Sequence, residues 1–302
     1  MLKKILKLFL YFALSVVVIF CAVYVYVAMS NRKPAEEYKI FASQTFRPLV
    51  IAHRGGAGIA PENTLFAFKR SVELGVDILE LDIRSTVDGE LVVFHDATVN
   101  RTTDGTGAVS AMTFDEIKKL DAGFRWTNDG GKTFPFRGKD IKIPTLREVF
   151  EAFPDIKINI EPKHAMPSPV KPLCDLIKEF NLTNKVIVGT FQDEVLQDFR
   201  QTCKGVATSA SPSEVSFFLA KYKLGLSESY SPEMQVLQIP EKLGSLQIVT
   251  EDYIKAAHER NLDVHVWTID DIKDMKRLIE IKADGIMTNY PDRLLELLNK
   301  SR

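Results

Sequence analysis

Eight short apolar, β-branched segments recur between residues 48 and 288, and most are followed by a helical pattern. They read "PLVIAH" (48–53), "DILELDI" (77–83), "IKINIE" (156–161) and "KVIVGT" (185–190), then "GVATS" (205–209), "QVLQI" (235–239), "LDVHVW" (262–267) and "DGIMT" (284–288). Alternation of strand and helix builds a sheet whose crossovers are the helices. Eight such units in about 250 residues match a (β/α)8 barrel of the α/β class better than an open doubly wound sheet, the competing arrangement. The first helix, "TLFAFKRSVELG", carries its own punctuation, with Thr64 expected as N-cap and Gly75 as C-cap. One irregular insertion, about 97–144, lies between the second and third barrel strands and is rich in Gly, Thr and aromatics.

The amino terminus obeys a different rule. From Leu8 to Met29 the chain reads "LFLYFALSVVVIFCAVYVYVAM", 22 residues without a charge. As a helix this run extends about 33 Å, enough for a hydrocarbon core of about 30 Å. It is longer than a signal-peptide apolar region, and only "AMS" (28–30) hints at a cleavage site. The expected division is a single transmembrane anchor (1–29), a polar tether interrupted by Pro34 (30–47) and the barrel (48–299). Lys3, Lys4 and Lys7 before the span nearly balance Arg32, Lys33 and Lys39 after it. A first helix behind a short basic tail usually leaves its carboxyl-terminal side outside, so the barrel is expected on the extracytoplasmic side.

A formal net charge of −1 gives no footprint for nucleic acid. Cys21, Cys174 and Cys203 show neither CxxC nor zinc spacing, and are expected as reduced thiols.

Barrel chemistry sits where strands end and loops begin. His53 ends the first strand, opening "HRGGAGIAPENT". Glu80 and Asp82 stand two apart on the second, so both carboxylates point to one face. An Asp88-Gly89 turn taken as a two-residue hairpin loop places Asp82 opposite His95. Glu161 and Lys163, again two apart, end the third barrel strand in "NIEPK". Three converging carboxylates make a hard-oxygen cage suited to Mg²⁺ or Ca²⁺. Two histidines can exchange protons near neutral pH, and Arg54 and Lys163 supply positive charge for an anion. Together these groups point to phosphate-ester chemistry.

The series "HRGGAGIAPENT", "LELDIRSTVDGELVVFHD", "NIEPK", "WTID" and "ADGIMTNYP" resembles the signatures of the glycerophosphodiester phosphodiesterase family over residues 48–298. That family is similar in fold to phosphoinositide phospholipase C, a TIM barrel with an insertion after the hairpin. The resemblance implies Glu80, Asp82 and Glu161 as metal ligands, His53 and His95 as the catalytic pair, and Arg54 and Lys163 as phosphate contacts. It places Phe191 and Trp267 as aromatic pocket walls. Two departures are mild: Pro162 stands where an aliphatic residue is common, and Asn289 where the family often has Asp.

The resemblance implies hydrolysis of a small glycerophosphodiester to glycerol 3-phosphate and an alcohol, through a cyclic phosphate or by direct attack of water. Soluble head-group diesters rank first as substrates and lysophospholipids, cleaved in the manner of a lysophospholipase D, second. Aromatics of the insertion, Trp126 and Phe136 among them, are expected to form its own small core rather than an acyl-chain wall. A membrane-tethered binding barrel is the non-enzyme rival, and a metal-dependent lyase or aldolase a further one. The first predicts loss of a key group, and all five are present. The second leaves two histidines beside Arg54 and Lys163 unexplained.

Overall fold

The computed structural model describes residues 2–30, 32–38, 40 and 47–300. The rest of the expected tether, residues 31, 39 and 41–46, lies outside the described residues. Helix α1 (Leu2–Ala28) comes first, and within it Lys4–Ala28 is long and apolar enough to cross a membrane.

Eight parallel strands follow: β1 (Leu49–Ala52), β2 (Ile78–Ser85), β4 (Lys157–Pro162), β5 (Val186–Val188), β6 (Ala207–Thr208), β7 (Val236–Pro240), β10 (Asp263–Trp267) and β11 (Gly285–Thr288). Their order around the sheet is β6-β5-β4-β2-β1-β11-β10-β7, and a parallel bridge between Ser209 and Val236 joins the two ends into a barrel. Helices α2 (Leu65–Leu74), α4 (Leu146–Ala152), α5 (Val170–Glu179), α6 (Asp193–Thr202), α7 (Pro212–Lys223), α8 (Glu251–His258), α9 (Ile272–Glu280) and α10 (Pro291–Lys300) return the chain outside the strands. Thr64 caps α2, accepting a bond from the amide of Ala67, and Gly75 closes it at φ 89°.

The two-residue side-chain period of the strands decides what lines the barrel. Val50, Ala52, Leu79, Leu81 and Ile83 point outward into the core shared with the helices. Their alternates Leu49, Ile51, Ile78 and Met287 form a separate apolar layer inside, which Ile40 completes at 2% exposure. Arg32, Ala35 and Ile40 of the expected tether are therefore docked against the barrel. Ala35 donates to the Arg260 carbonyl at 2.9 Å, Arg260 donates to the Arg32 carbonyl at 2.6 Å, and Asn261 donates to the Ala35 carbonyl at 2.9 Å. The Tyr24 hydroxyl of α1 donates to the Leu224 carbonyl, just past α7, at 2.9 Å. Leu224, Arg260 and Asn261 all lie in connections that lead into strands, so these contacts gather at the amino-terminal end of the barrel.

Two expectations are corrected here. Strand β3 (Leu91–Val93) pairs with β2 as Ile83↔Val93 and Ser85↔Leu91, which places Asp82 opposite Phe94 rather than His95. The turn holds three residues, Val87 to Gly89, because Thr86 Oγ1 bonds both the Asp88 carboxylate at 2.5 Å and the amide of Glu90 at 3.0 Å. His95 lies beyond the paired residues, and so escapes strand alternation. Cysteines 174 and 203, expected as thiols, form a disulfide with Cα atoms 5.5 Å apart, joining α5 to the end of α6. Their separation of 29 residues hid the pairing, since it is set by helix packing and not by a local motif.

The insertion carries the short helix α3 (Phe114–Ile117) and packs largely on itself, around Val99, Val109, Ile117 and Ile143. Trp126 meets Phe136 edge-on at 4.9 Å, and Phe136 meets Phe66 of α2 at 5.1 Å. A second hairpin, β8 (Lys242–Leu243) and β9 (Leu246–Gln247), rises from the end of β7.

Candidate active site

Following the inward-facing alternates up each strand leads directly to the polar groups. His53 stands two residues after inward Ile51, and Glu80 and Asp82 two and four after Ile78. Asn289 stands two after Met287. Strand pairing sets Asp82 beside Glu161 and Glu80 beside Asn159. One oxygen from each of Glu80, Asp82 and Glu161 lies within 4.8 Å of the others. An apolar plug below and carboxylates above are thus two halves of one pattern.

The turn after β1 explains "HRGG". Arg54, Gly55 and Gly56 have φ of 51°, 77° and 90°, three successive left-handed residues. A side chain at Gly55 would place its Cβ 2.6 Å from the Phe68 ring, so both backbone sign and space demand glycine. This curl aims the Arg54 amide at Glu80 Oε2, 2.7 Å away. The same residue's guanidinium lies 3.4 Å from Asp82 Oδ2 and 2.9 Å from Glu62. Lys163 Nζ lies 3.1 Å from Asp82 and 2.8 Å from Glu161. Asn63 donates to Asp82 Oδ2 at 2.8 Å, and buried Asp82 Oδ1 is the oxygen that Lys163 approaches.

Two cations against three acids leave the cluster short of positive charge. Burial, and then the Asp82 and Glu161 carboxylates, push Glu80 well above the usual carboxylate range. Burial also raises Glu161, against the pull of Lys163. A divalent ion would relieve this imbalance, and an all-oxygen donor set suits Mg²⁺ or Ca²⁺.

Each histidine is held through Nδ1 by a different kind of partner. His53 Nδ1 lies 2.7 Å from Asn289 Oδ1. The Asn289 amide nitrogen donates to Asp270 at 2.7 Å, which leaves Oδ1 to accept from His53. His95 Nδ1 lies 2.6 Å from the Asp96 carboxylate. Burial tends to raise Asp96, but bonds from Arg101 and His95 hold it down to about 2. Both histidines sit below the ordinary value. For His53 burial acts first and Arg54 second; for His95 burial is opposed by Asp82 and Asp96.

All nine residues expected at the site line one mouth or touch those that do. Phe191 and Trp267 meet across it with ring centroids 5.7 Å apart, and Lys163 Nζ is 6.0 Å from the Phe191 ring centre. Sequence reasoning missed Asp96, although "FHD" places it beside His95. It also missed the Arg101–Glu62–Arg54 chain, in which Arg101 donates to Glu62 at 2.7 Å. Only tertiary structure brings residue 101 to residue 62.

The sequence profile of the Glycerophosphoryl diester phosphodiesterase family matches residues 53–293. A glycerophosphodiester phosphodiesterase of Caldanaerobacter subterraneus subsp. tengcongensis is 37% identical, over 84% of this chain and 99% of that protein. A lysophospholipase D of Mus musculus is 30% identical, over 85% of this chain and 88% of that protein. The fold is shared with the glycerophosphoryl diester phosphodiesterase domain of a Mycobacterium tuberculosis protein. The TM-score is 0.74 at 19% identity, over 83% of this chain and 99% of that one. On the profile match and the curated relatives, this chain belongs to the glycerophosphoryl diester phosphodiesterase family.

Proposed function

We propose that the barrel hydrolyses glycerophosphodiesters to glycerol 3-phosphate and an alcohol, using a divalent cation and a histidine pair. The observation that carries this reading is the meeting of three inward carboxylates, Arg54 and Lys163 with two histidines each tied through Nδ1. Glu80, Asp82 and Glu161 would hold Mg²⁺ or Ca²⁺, which neutralises phosphate charge and lowers the pKa of a neighbouring hydroxyl. Arg54 and Lys163 orient the phosphate. His53 has its Nδ1 proton committed to Asn289, so its Nε2 lone pair takes the proton of the glycerol 2-hydroxyl. His95, backed by the Asp96 carboxylate, carries the proton that the departing alcohol needs. Water then opens the cyclic phosphate with the two roles exchanged.

The test is release of glycerol 3-phosphate from glycerophosphocholine and glycerophosphoethanolamine by the full-length protein, with Mg²⁺ or Ca²⁺ supplied. Absence of release from both diesters would overturn the reading.

Helix α1 is proposed as a membrane anchor with the barrel outside the cytoplasm. The Cys174–Cys203 disulfide supports this side, because such bonds persist in oxidising compartments. Full-length protein should stay in the membrane fraction through carbonate extraction, and protease added outside sealed, right-side-out membranes should digest the barrel. Release by carbonate would favour a cleaved signal, and full protection would place the barrel inside.

A further inference from the structure

Three neighbouring strands, β10, β11 and β1, end side by side at the mouth, and their ends supply one chain of polar bonds. His53 follows β1, Asn289 follows β11, and Asp270 lies in the connection from β10 to α9. Asp270 Oδ1 accepts from the Thr288 hydroxyl at 3.0 Å and from the Asn289 backbone amide at 2.9 Å. Its Oδ2 accepts from the Asn289 side-chain amide at 2.7 Å, and Asn289 Oδ1 faces His53 Nδ1 at 2.7 Å. The backbone beside Asp270 is pinned to the same strand, the Ile269 amide donating to the Met287 carbonyl at 2.9 Å. A carboxylate with three neutral donors, all from Thr288 and Asn289, thus stands directly behind the partner of His53.

An amide side chain has one accepting end and one donating end, and nothing in its shape decides which way it turns. The Asp270 carboxylate only accepts, so it takes the NH2 end of Asn289. The carbonyl end is left for His53, and it too can only accept, so the proton of the neutral ring sits on Nδ1. Nε2 then carries the lone pair. Resting on the phosphodiesterase reading, we propose that Asp270 is a positioning residue of this reaction, acting through Asn289 to fix the base tautomer of His53. With the amide reversed, its NH2 end would face Nδ1 and the proton would sit on Nε2. The ring would then have no lone pair for the proton of the attacking hydroxyl. The interposed amide also separates orientation from charge. Asp96 touches His95 directly, and a carboxylate at that distance favours the imidazolium form. Asn289 gives His53 the same Nδ1–H tautomer while the negative charge stays one residue away, which suits a group that must start neutral.

The test measures kcat for glycerophosphocholine across pH, with cation supplied, in full-length protein substituted at Asp270. Asp270→Asn keeps the shape but reverses the neighbouring amide. The Asn289 backbone N–H is an obligate donor, so the carboxamide oxygen at position 270 must stay toward it. The NH2 group at 270 then faces the Asn289 side chain and turns it over. kcat should fall roughly a hundredfold, the lower end of the range for a positioned base. Asp270→Ala leaves Asn289 free to keep Oδ1 toward the ring, and should cost only severalfold. A residue needed only for packing would show the reverse order. In a His53→Ala background Asp270→Asn should have almost no further effect, because the ring it positions is gone. Asp270→Asn combined with Asn289→Asp returns an acceptor to Nδ1 and should regain about tenfold over Asp270→Asn alone. The new carboxylate would join Asp82 and Glu62, which raise the ring's proton affinity against Arg54. The acidic limb of the profile should therefore move up by about one pH unit. This combined variant decides the matter if Asp270→Asn does not fold. Near-wild-type kcat for Asp270→Asn, or an equal loss in the His53→Ala background, would overturn the positioning role and leave the phosphodiesterase reading standing. A folded combined variant with neither recovery nor shift would do the same. No turnover by the wild-type protein would overturn both.

Discussion

Exhaustive chelation of the full-length protein should reduce glycerol 3-phosphate release by roughly a thousandfold or more, since a catalytic cation supplies several kcal/mol to phosphoryl transfer. Added Mg²⁺ or Ca²⁺ should restore it. The reason lies in the arithmetic of charge around Asp82, which is 1% exposed and shares Arg54 and Lys163 with Glu80 and Glu161. Without a cation, Glu80 is driven toward its neutral acid by burial and by Asp82. Binding a cation requires that proton to leave. Apparent cation affinity should therefore weaken as pH falls, because metal and proton compete for the same carboxylate. Saturating cation should also raise the melting temperature, by about 2.7 kcal/mol of stability at a hundredfold excess over Kd. Glu80→Gln keeps shape but removes the charge, and should reproduce the chelated state even with cation present. Undiminished turnover after complete chelation would remove the cation from the reaction.

Replacing either histidine should be nearly as damaging. His53→Ala and His95→Ala are each expected to lower kcat by about 10²–10⁴, the range for a positioned acid or base. The double variant should lose much less than the product, because one proton transfer is of little use without the other. Their partners separate the two roles. Asn289→Ala should cost less than His53→Ala, since it frees the ring without removing it. Asp96→Asn should mainly lower the pH at which the protonated form of His95 is lost, moving the alkaline limb of the rate profile down. Equal, small effects of His53→Ala and His95→Ala in folded protein would remove both from the chemistry.

Much of this site was legible because barrels write it in simple periods. Ile78, Glu80 and Asp82 occupy one face of one strand, so two acids among apolar neighbours already point into the barrel. The same alternation places Glu161 beside Asp82, once the third barrel strand is recognised. Turn geometry was less legible. Asp88-Gly89 suits a two-residue loop, yet the Thr86 hydroxyl bonds Asp88 and Glu90 and makes a three-residue turn, shifting the register by one. His95 still lines the same cavity as Glu80 and Glu161, for a reason that pairing rules do not contain: the strand has ended before it. The disulfide and the Arg101–Glu62 contact were illegible because each joins segments that meet only through tertiary packing. Residues 30–47 read as a polar tether on composition, but composition does not reveal that Ile40 among them fills the end of a barrel.

The docking of α1 and of residues 32–38 and 40 at the amino-terminal end of the barrel has a consequence for traffic between a bilayer and the enzyme. Because Tyr24, Arg32 and Ala35 bond to that end, a bilayer crossed by α1 would lie across the barrel from its open mouth. A membrane lipid would then have to desorb before it reached the mouth. Each buried methylene holds it back by about 0.8 kcal/mol, so one chain exchanges readily whereas two together are effectively permanent. A barrel anchored in this way would work as a scavenger of what the membrane lets go, taking released head-group diesters. Intact two-chain phospholipids of the same bilayer would stay out of its reach. Cleavage of a two-chain phospholipid within the enzyme's own bilayer would contradict this geometry.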